Sequence, residues 1–180
     1  MSERIFEWDD ITPEVVKEWG YDEDLILMEQ DEDLLLYDFE LIPTLLELAG
    51  DKACPKGDYA FYILCQFSRE QVTRGASRGG PETLKKVIED LPLQPEGMPR
   101  EWQVYIERLL SYFFTPNKCS KKEAHARAHD LLIGIAGRVG DVLETNSTNP
   151  SVWRFTLKTS VTEHVEIDIE TGAFKYVPYY

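Results

Sequence analysis

With 180 residues, 43% of them hydrophobic and 12% aromatic, the chain can bury a core as one domain or two small ones, and whole-chain disorder is not expected. A formal net charge of −14 disfavours nucleic acid and anionic membrane as direct partners. Cys54, Cys65 and Cys119 are odd in number and lack Cys-x-x-Cys spacing, which predicts reduced thiols in a cytoplasm rather than a disulfide framework or a zinc site.

The charge is not spread evenly. Residues 1–40 hold fifteen Asp and Glu against Arg4 and Lys17, which is −13 of the total, while residues 41–180 hold 18 acids and 17 bases. Crowded like charges repel, so the asymmetry predicts a basic protein partner for the N-terminal part. The start, MSERIFEWDD, lacks the basic-then-apolar pattern of a secretory signal. Apolar runs such as Leu34–Leu36 and Leu131–Ile133 fall far short of the roughly 20 residues that span a bilayer.

Thr12-Pro13 predicts a helix start, a hydroxyl cap followed by Pro at the first helical position, with Val15, Val16 and Trp19 inside and Gly20 as the stop. Two apolar bursts follow, Leu25–Met28 and Leu34–Tyr37, each behind an acidic triplet, Asp22-Glu23-Asp24 and Asp31-Glu32-Asp33. They read either as two short strands or as irregular segments. Residues 39–118 read as helical. Leu41, Ile42, Leu45, Leu46 and Leu48 precede Gly50, and Pro43 confines the regular helix to a start near Ile42. Asp58 is placed to cap a helix over Tyr59–Arg74 that is apolar nearly all round and therefore central. Gly75 and Gly79-Gly80 break it, Pro81 opens a shorter helix to Leu91, and three prolines make residues 92–99 a loop. Trp102, Tyr105, Ile106, Leu109, Leu110 and Phe113 form one stripe on a helix over Arg100–Phe114. Short helices with short links suggest helical hairpins of the HEAT type.

The last sixty residues change character. Ser120-Lys121-Lys122-Glu123 is a capping box opening a helix that carries Ala124, Ala128, Leu131, Leu132 and Ile135 and ends around Gly137 or Gly140. The period then becomes two. Trp153, Phe155 and Leu157, and later Val165, Ile167 and Ile169, alternate with polar residues, and Thr171-Gly172 turns the chain into Ala173–Val177. This predicts an antiparallel meander of three to four strands with one apolar face, covered by the helix. Arg154 and Lys158 would face Glu163 or Glu166. The expected fold class is α+β, with a helical region 1–118 and a helix-plus-sheet region 119–180, either separate or sharing one core. The strands Trp153–Leu157 and Val165–Gly172 resemble those of PepSY-type and cystatin-like α+β modules, a likeness that implies a fold and hardly any activity.

His125 and His129 share a helix face, as metal sites require, but Ala126 stands where a zincin carries its Glu, so a solvated face is the expected role. His164 alternates with core positions and is expected to be exposed. The triplet Asp31-Glu32-Asp33 leads straight into leucines without the mid-loop Gly of a calcium loop. No metal and no cofactor is expected. Cys65 reads as core, and Gly79-Gly80-Pro81 as a tight turn. Arg69, Arg74 and Arg78 are expected to serve a helix C-terminus and nearby acids. No G-x-S-x-G motif is present. Trp8 and Trp19 have two open roles: anchors of the acidic segment in the core, or anchors of an interface steered by carboxylates.

Trp19–Leu25, Glu29–Leu36, Leu45–Ala49 and Asp51–Lys56 resemble bacterial immunity proteins of polymorphic or contact-dependent toxin systems. The resemblance implies a cytoplasmic antidote that binds a toxin domain tightly and carries no catalytic residues. Its contacts would be Asp22, Glu23, Asp24, Asp31, Glu32 and Asp33, with Trp8 or Trp19 as anchors. A general helical adaptor is the alternative, and an enzyme built around His125, His129 or Cys54 a more distant one.

Overall fold

The computed structural model describes residues 4–5, 11–26, 35, 38–134, 142–158 and 160–178. Among the described residues, six helices of defined extent precede a four-stranded antiparallel sheet, so the fold is α+β. In chain order the elements are β1 (Arg4–Ile5), α1 (Pro13–Tyr21), β2 (Leu25–Ile26), a 3-10 turn at Phe39–Leu41, and α2 (Ile42–Gly50). There follow α3 (Gly57–Val72), a 3-10 turn at Arg74–Arg78, α4 (Gly80–Asp90), α5 (Met98–Phe114) and α6 (Lys121–Leu132). The strands β3 (Val142–Asn146), β4 (Val152–Leu157), β5 (Ser160–Asp168) and β6 (Phe174–Val177) close the chain. The chain divides into two compact units: unit 1 is Met1–Ser68 with Lys86–Val104, and unit 2 is Arg69–Lys85 with Tyr105–Tyr180.

In unit 1, α1 begins as its residues dictate. The Thr12 side chain accepts from Val15 N at 3.3 Å, and Pro13 spends no hydrogen-bond donor where none is needed. Its stop differs from the expected one. Gly20 lies inside the helix, and an added Cβ would come within 2.5 Å of Leu48 Cδ2. Gly20 is therefore a close-packing residue between α1 and α2 rather than a cap. Val16, Trp19, Leu45 and Leu48 are fully or almost fully buried. Each such aliphatic side chain contributes about 1.5–3 kcal/mol. The first part of α3 adds Ala60, Ile63, Leu64 and Phe67, with Phe39 edge-on to Phe67 at 4.9 Å. Trp102 is buried beside them, its indole N–H donating to Leu64 O at 3.1 Å and Ser68 Oγ at 3.0 Å. Asp58 falls in the first turn of α3, which starts two residues earlier than a cap at Asp58 requires. β1 and β2 pair in parallel, Arg4 with Leu25 and Ile5 with Ile26.

In unit 2, Ser120 and Glu123 make both bonds of the capping box at the start of α6. The helix ends at Leu132, earlier than expected, because Gly134 takes a left-handed φ of 78° and its N–H bonds back to His129 O at 3.1 Å. Ile135, Gly137 and Gly140 lie outside the described residues. The sheet order is β3-β4-β5-β6, and α6 packs on β3, β4 and β5. Phe155, Val165 and Ile167 are fully buried. Arg154 stands opposite Glu166 as expected and meets it at 2.8 Å. The strand β3 is an edge strand whose Leu143, Glu144 and Thr145 are all exposed, so it lacks the alternation that reveals its neighbours. The turn at Gly172 needs glycine twice over: its φ is 75°, and a Cβ would meet Asn117 O at 1.9 Å. Asp130, 8% exposed, holds Arg108 by two bonds of 2.7 and 3.0 Å and accepts from Tyr112 OH at 2.8 Å. Arg69 caps α6 through Leu132 O, and Arg74 donates to Glu163 at 3.1 Å and to Tyr176 OH at 3.1 Å.

Candidate functional site

The first acidic triplet sits on a loop that has no regular structure of its own, between the end of α1 and β2. Its shape comes from one side chain far along the sequence. The ammonium group of Lys56 donates to three backbone carbonyls, Trp19 O at 2.8 Å, Asp22 O at 2.5 Å and Leu25 O at 2.5 Å. An ammonium has three N–H donors, and here all three close on the loop. The C-terminal end of α1 also concentrates unpaired carbonyls and negative dipole, which a cation relieves. The same Nζ lies 5.0 Å from the centre of the Trp19 ring. Burial pushes the Lys56 pKa down, while the charges of Asp22 and Glu23 pull the other way.

Two further bonds tie the loop to the residues after α2. Cys54 Sγ donates to Gly20 O at 3.3 Å, and Tyr21 OH donates to Asp51 Oδ2 at 2.5 Å. The Tyr21 hydroxyl and the Ala53 N–H hold the Asp51 carboxyl below its usual range, and Asp51 in turn pushes the Tyr21 phenol up to about 12. Asp51 therefore remains ionised and fixed in direction at neutral pH. On the loop itself, Asp22 is half-buried and its Oδ1 accepts from Asp24 N at 3.0 Å, while Glu23 and Asp24 are exposed. The arrangement displays carboxylates from a backbone that is held in place.

No family model, curated protein or solved structure matches the chain. The site is thus read from its own chemistry. Unit 1 contains 22 Asp and Glu against 6 Lys and Arg, a formal −16, and unit 2 contains 11 against 13, a formal +2.

Of the sequence-predicted contact residues, Asp22, Glu23 and Asp24 stand together on the clamped loop. Trp19 takes the core position of its two open roles. It is 1% exposed, packs on Tyr59 at 5.6 Å between ring centres, and lies beneath the Lys56 ammonium that holds the loop. Its indole N–H finds no acceptor among the described residues. Trp8 and the second triplet, Asp31, Glu32 and Asp33, lie outside the described residues. Sequence reasoning assigned no role to Lys56, Tyr21 or Asp51. The available signal was the short run Asp51–Lys56 between two helices, but nothing local says that its lysine reaches back more than thirty residues.

The other chemical candidates are engaged in packing. His125 is edge-on to Phe155 at 5.8 Å with Nε2 3.3 Å from Val142 O, and His129 is half-buried at the end of α6. His164, expected to be exposed, has only 19% of its side chain accessible and lies 3.6 Å from Glu166. Burial pushes its pKa down. Among the described residues no group of three His, Cys, Asp or Glu side chains converges as a metal site, and no helix is long and apolar enough to cross a membrane. Cys54 and Cys119 have their thiols pushed up by burial, the reverse of an activated nucleophile.

Proposed function

We propose that the chain is a non-catalytic binding protein that captures a basic protein partner on the carboxylate surface of unit 1. The observation that carries this reading is the division of charge, −16 against +2, together with exposed Glu23 and Asp24 on a loop held from below by Lys56. A surface of one sign raises the encounter rate with an oppositely charged partner, and a preformed loop lowers the ordering cost of the complex. The partner is a toxin domain, and the complex neutralises it in the cytoplasm. This part rests on the resemblance of Trp19–Leu25 and Asp51–Lys56 to bacterial immunity proteins, the two stretches that the clamp joins. The engagement of His125, Cys54 and Cys119 in packing supports a binding rather than a catalytic role.

The test captures the partner from native cell extract at low salt and measures its association by stopped flow. With Asp22→Asn, Glu23→Gln and Asp24→Asn combined, the association rate is expected to fall about tenfold at low ionic strength, with a shallower salt dependence. An unchanged rate and slope would remove the electrostatic reading. Stoichiometric addition of this chain is expected to abolish the partner's toxicity, and a partner that stays active in the complex would remove the inhibitory one.

A further inference from the structure

Unit 1 also carries an open groove of about 530 Å³. Its walls are apolar: Pro43 and Leu46 from α2, and Leu91, Pro92, Pro95 and Pro99 from the loop after α4 and the start of α5. Glu47 and Asp51 stand on its rim. Tyr21 joins that rim to the acidic loop, since its hydroxyl binds Asp51 and the residue after it is Asp22.

We propose that this groove anchors a cationic segment of the partner, one apolar side chain seating against the prolines and leucines while an adjacent Lys or Arg reaches Glu47 and Asp51. The inference rests on the reading of unit 1 as a surface for a basic protein, and it names where on that surface an apolar anchor belongs.

Three observations carry it. First, the wall is preformed. Proline has a locked φ, and the loop is pinned by Gln103, which is 6% exposed and accepts from Gln94 N at 3.1 Å and from Arg100 at 2.9 Å. Gln94 also donates to Pro92 O at 2.8 Å. A rigid wall loses little entropy when occupied. Second, the charged groups that line the groove, Glu47 and Asp51, are acceptors. Its prolines have no N–H, and Gln94 N and Leu91 N are already used inside the protein. Asp51 accepts one bond on each oxygen and retains lone pairs for a cation. Glu47 is paired with Lys17 at 2.5 Å, but the two side chains are 53% and 50% exposed, so an incoming cation exchanges with Lys17 at little cost. Third, charge selects the occupant. A second copy would bring its own unit of −16 and be repelled, whereas a Lys- or Arg-bearing segment is attracted.

The test uses backbone amide shifts of the full chain titrated with the peptide acetyl-Gly-Lys-Arg-Trp-Leu-Lys-Arg-Gly-amide. Gly50, Asp51, Leu93 and Gln94 are expected to move. The analogue with Gly-Gly in place of Trp-Leu is expected to leave them still. The pair Glu47→Gln with Asp51→Asn weakens binding about tenfold, and so does Pro95→Lys, a substitution at an exposed loop residue. Retained amide dispersion shows that each variant is folded. Shifts confined to Glu23 and Asp24 that vanish at about 0.5 M salt would overturn the groove and leave the carboxylate-surface reading standing. No shift at either place would also overturn it, and the association measurement with the captured partner then decides that reading separately.

Discussion

Unit 1 sets 22 acidic residues against 6 basic ones, and unit 2 sets 11 against 13. Both bury aromatic and aliphatic side chains to a similar depth, Trp19 and Trp102 in one, Phe155 and Val165 in the other. They part over how many cations stand against their carboxylates, although each unit has both ion pairs, such as Lys17 with Glu47 in unit 1, and cations on backbone carbonyls, such as Arg69 on Leu132 O in unit 2. In unit 2 several cations meet carboxylates across the sheet or from the helix, turn and loop beside it: Arg154 with Glu166, Lys121 with Glu144, Arg74 with Glu163 and Lys118 with Glu170. Each exposed pair contributes about 0–1 kcal/mol, yet together they leave the unit nearly neutral. In unit 1 the lysine nearest the first triplet gives its three donors to backbone carbonyls. Its carboxylate excess stays uncompensated within the unit. Such a distribution costs some stability through repulsion, and it is what a surface for a cationic partner requires.

The largest effects test the part the units share. Trp19→Ala and Phe155→Ala each remove a buried aromatic side chain and are expected to lower stability by about 3–5 kcal/mol in urea denaturation. A loss below about 1 kcal/mol at Trp19 would mean that α1 is not anchored through its indole.

Lys56→Met sets a cation that clamps backbone carbonyls against one in a surface ion pair. Hydrogen bonds from a charged donor are lost at the end of α1, and a loss of about 1.5–3 kcal/mol is expected. Cleavage after Glu23 by a Glu-specific protease should accelerate as the loop loosens. Lys118→Met in unit 2, where the side chain is 70% exposed, should stay within about 0.5 kcal/mol. Equal effects from the two lysines would erase the distinction between a clamp and a surface pair.

The smallest effects compare carboxylates. Glu166→Gln should cost about 0.2–1 kcal/mol, whereas Glu23→Gln should be neutral or gain a few tenths, because it relieves repulsion. The Arg154 guanidinium holds the Glu166 carboxyl below its usual 4.5, so the folded state keeps this group ionised where the unfolded state takes up a proton. That contribution is present above pH 4.5 and lost as pH falls through the folded value. The gap between wild type and Glu166→Gln should close over that window. A gap that persists at lower pH would assign the effect to packing instead.

Local patterns were sufficient for much of this protein. The Thr12-Pro13 start of α1, the Ser120–Glu123 capping box, the period-two strands and the Gly172 turn involve residues a few positions apart, where backbone geometry and side-chain reach settle the outcome. The pairing of Arg154 with Glu166 followed from that alternation. Packing decided the rest. Gly20 became a contact with Leu48 instead of a cap, α6 stopped at Leu132, and the edge strand β3 gave no alternation because Leu143, Glu144 and Thr145 are exposed in succession. At the candidate site the charge asymmetry was plain from composition, but the clamp was not. Lys56 reaches carbonyls 31 to 37 residues away, and Tyr21 meets Asp51 across 30. A lysine announces three donors without saying which acceptors will surround it. Those are chosen when α1 and α2 pack together, because only then do the carbonyls at the end of one helix converge beside the residues that follow the other.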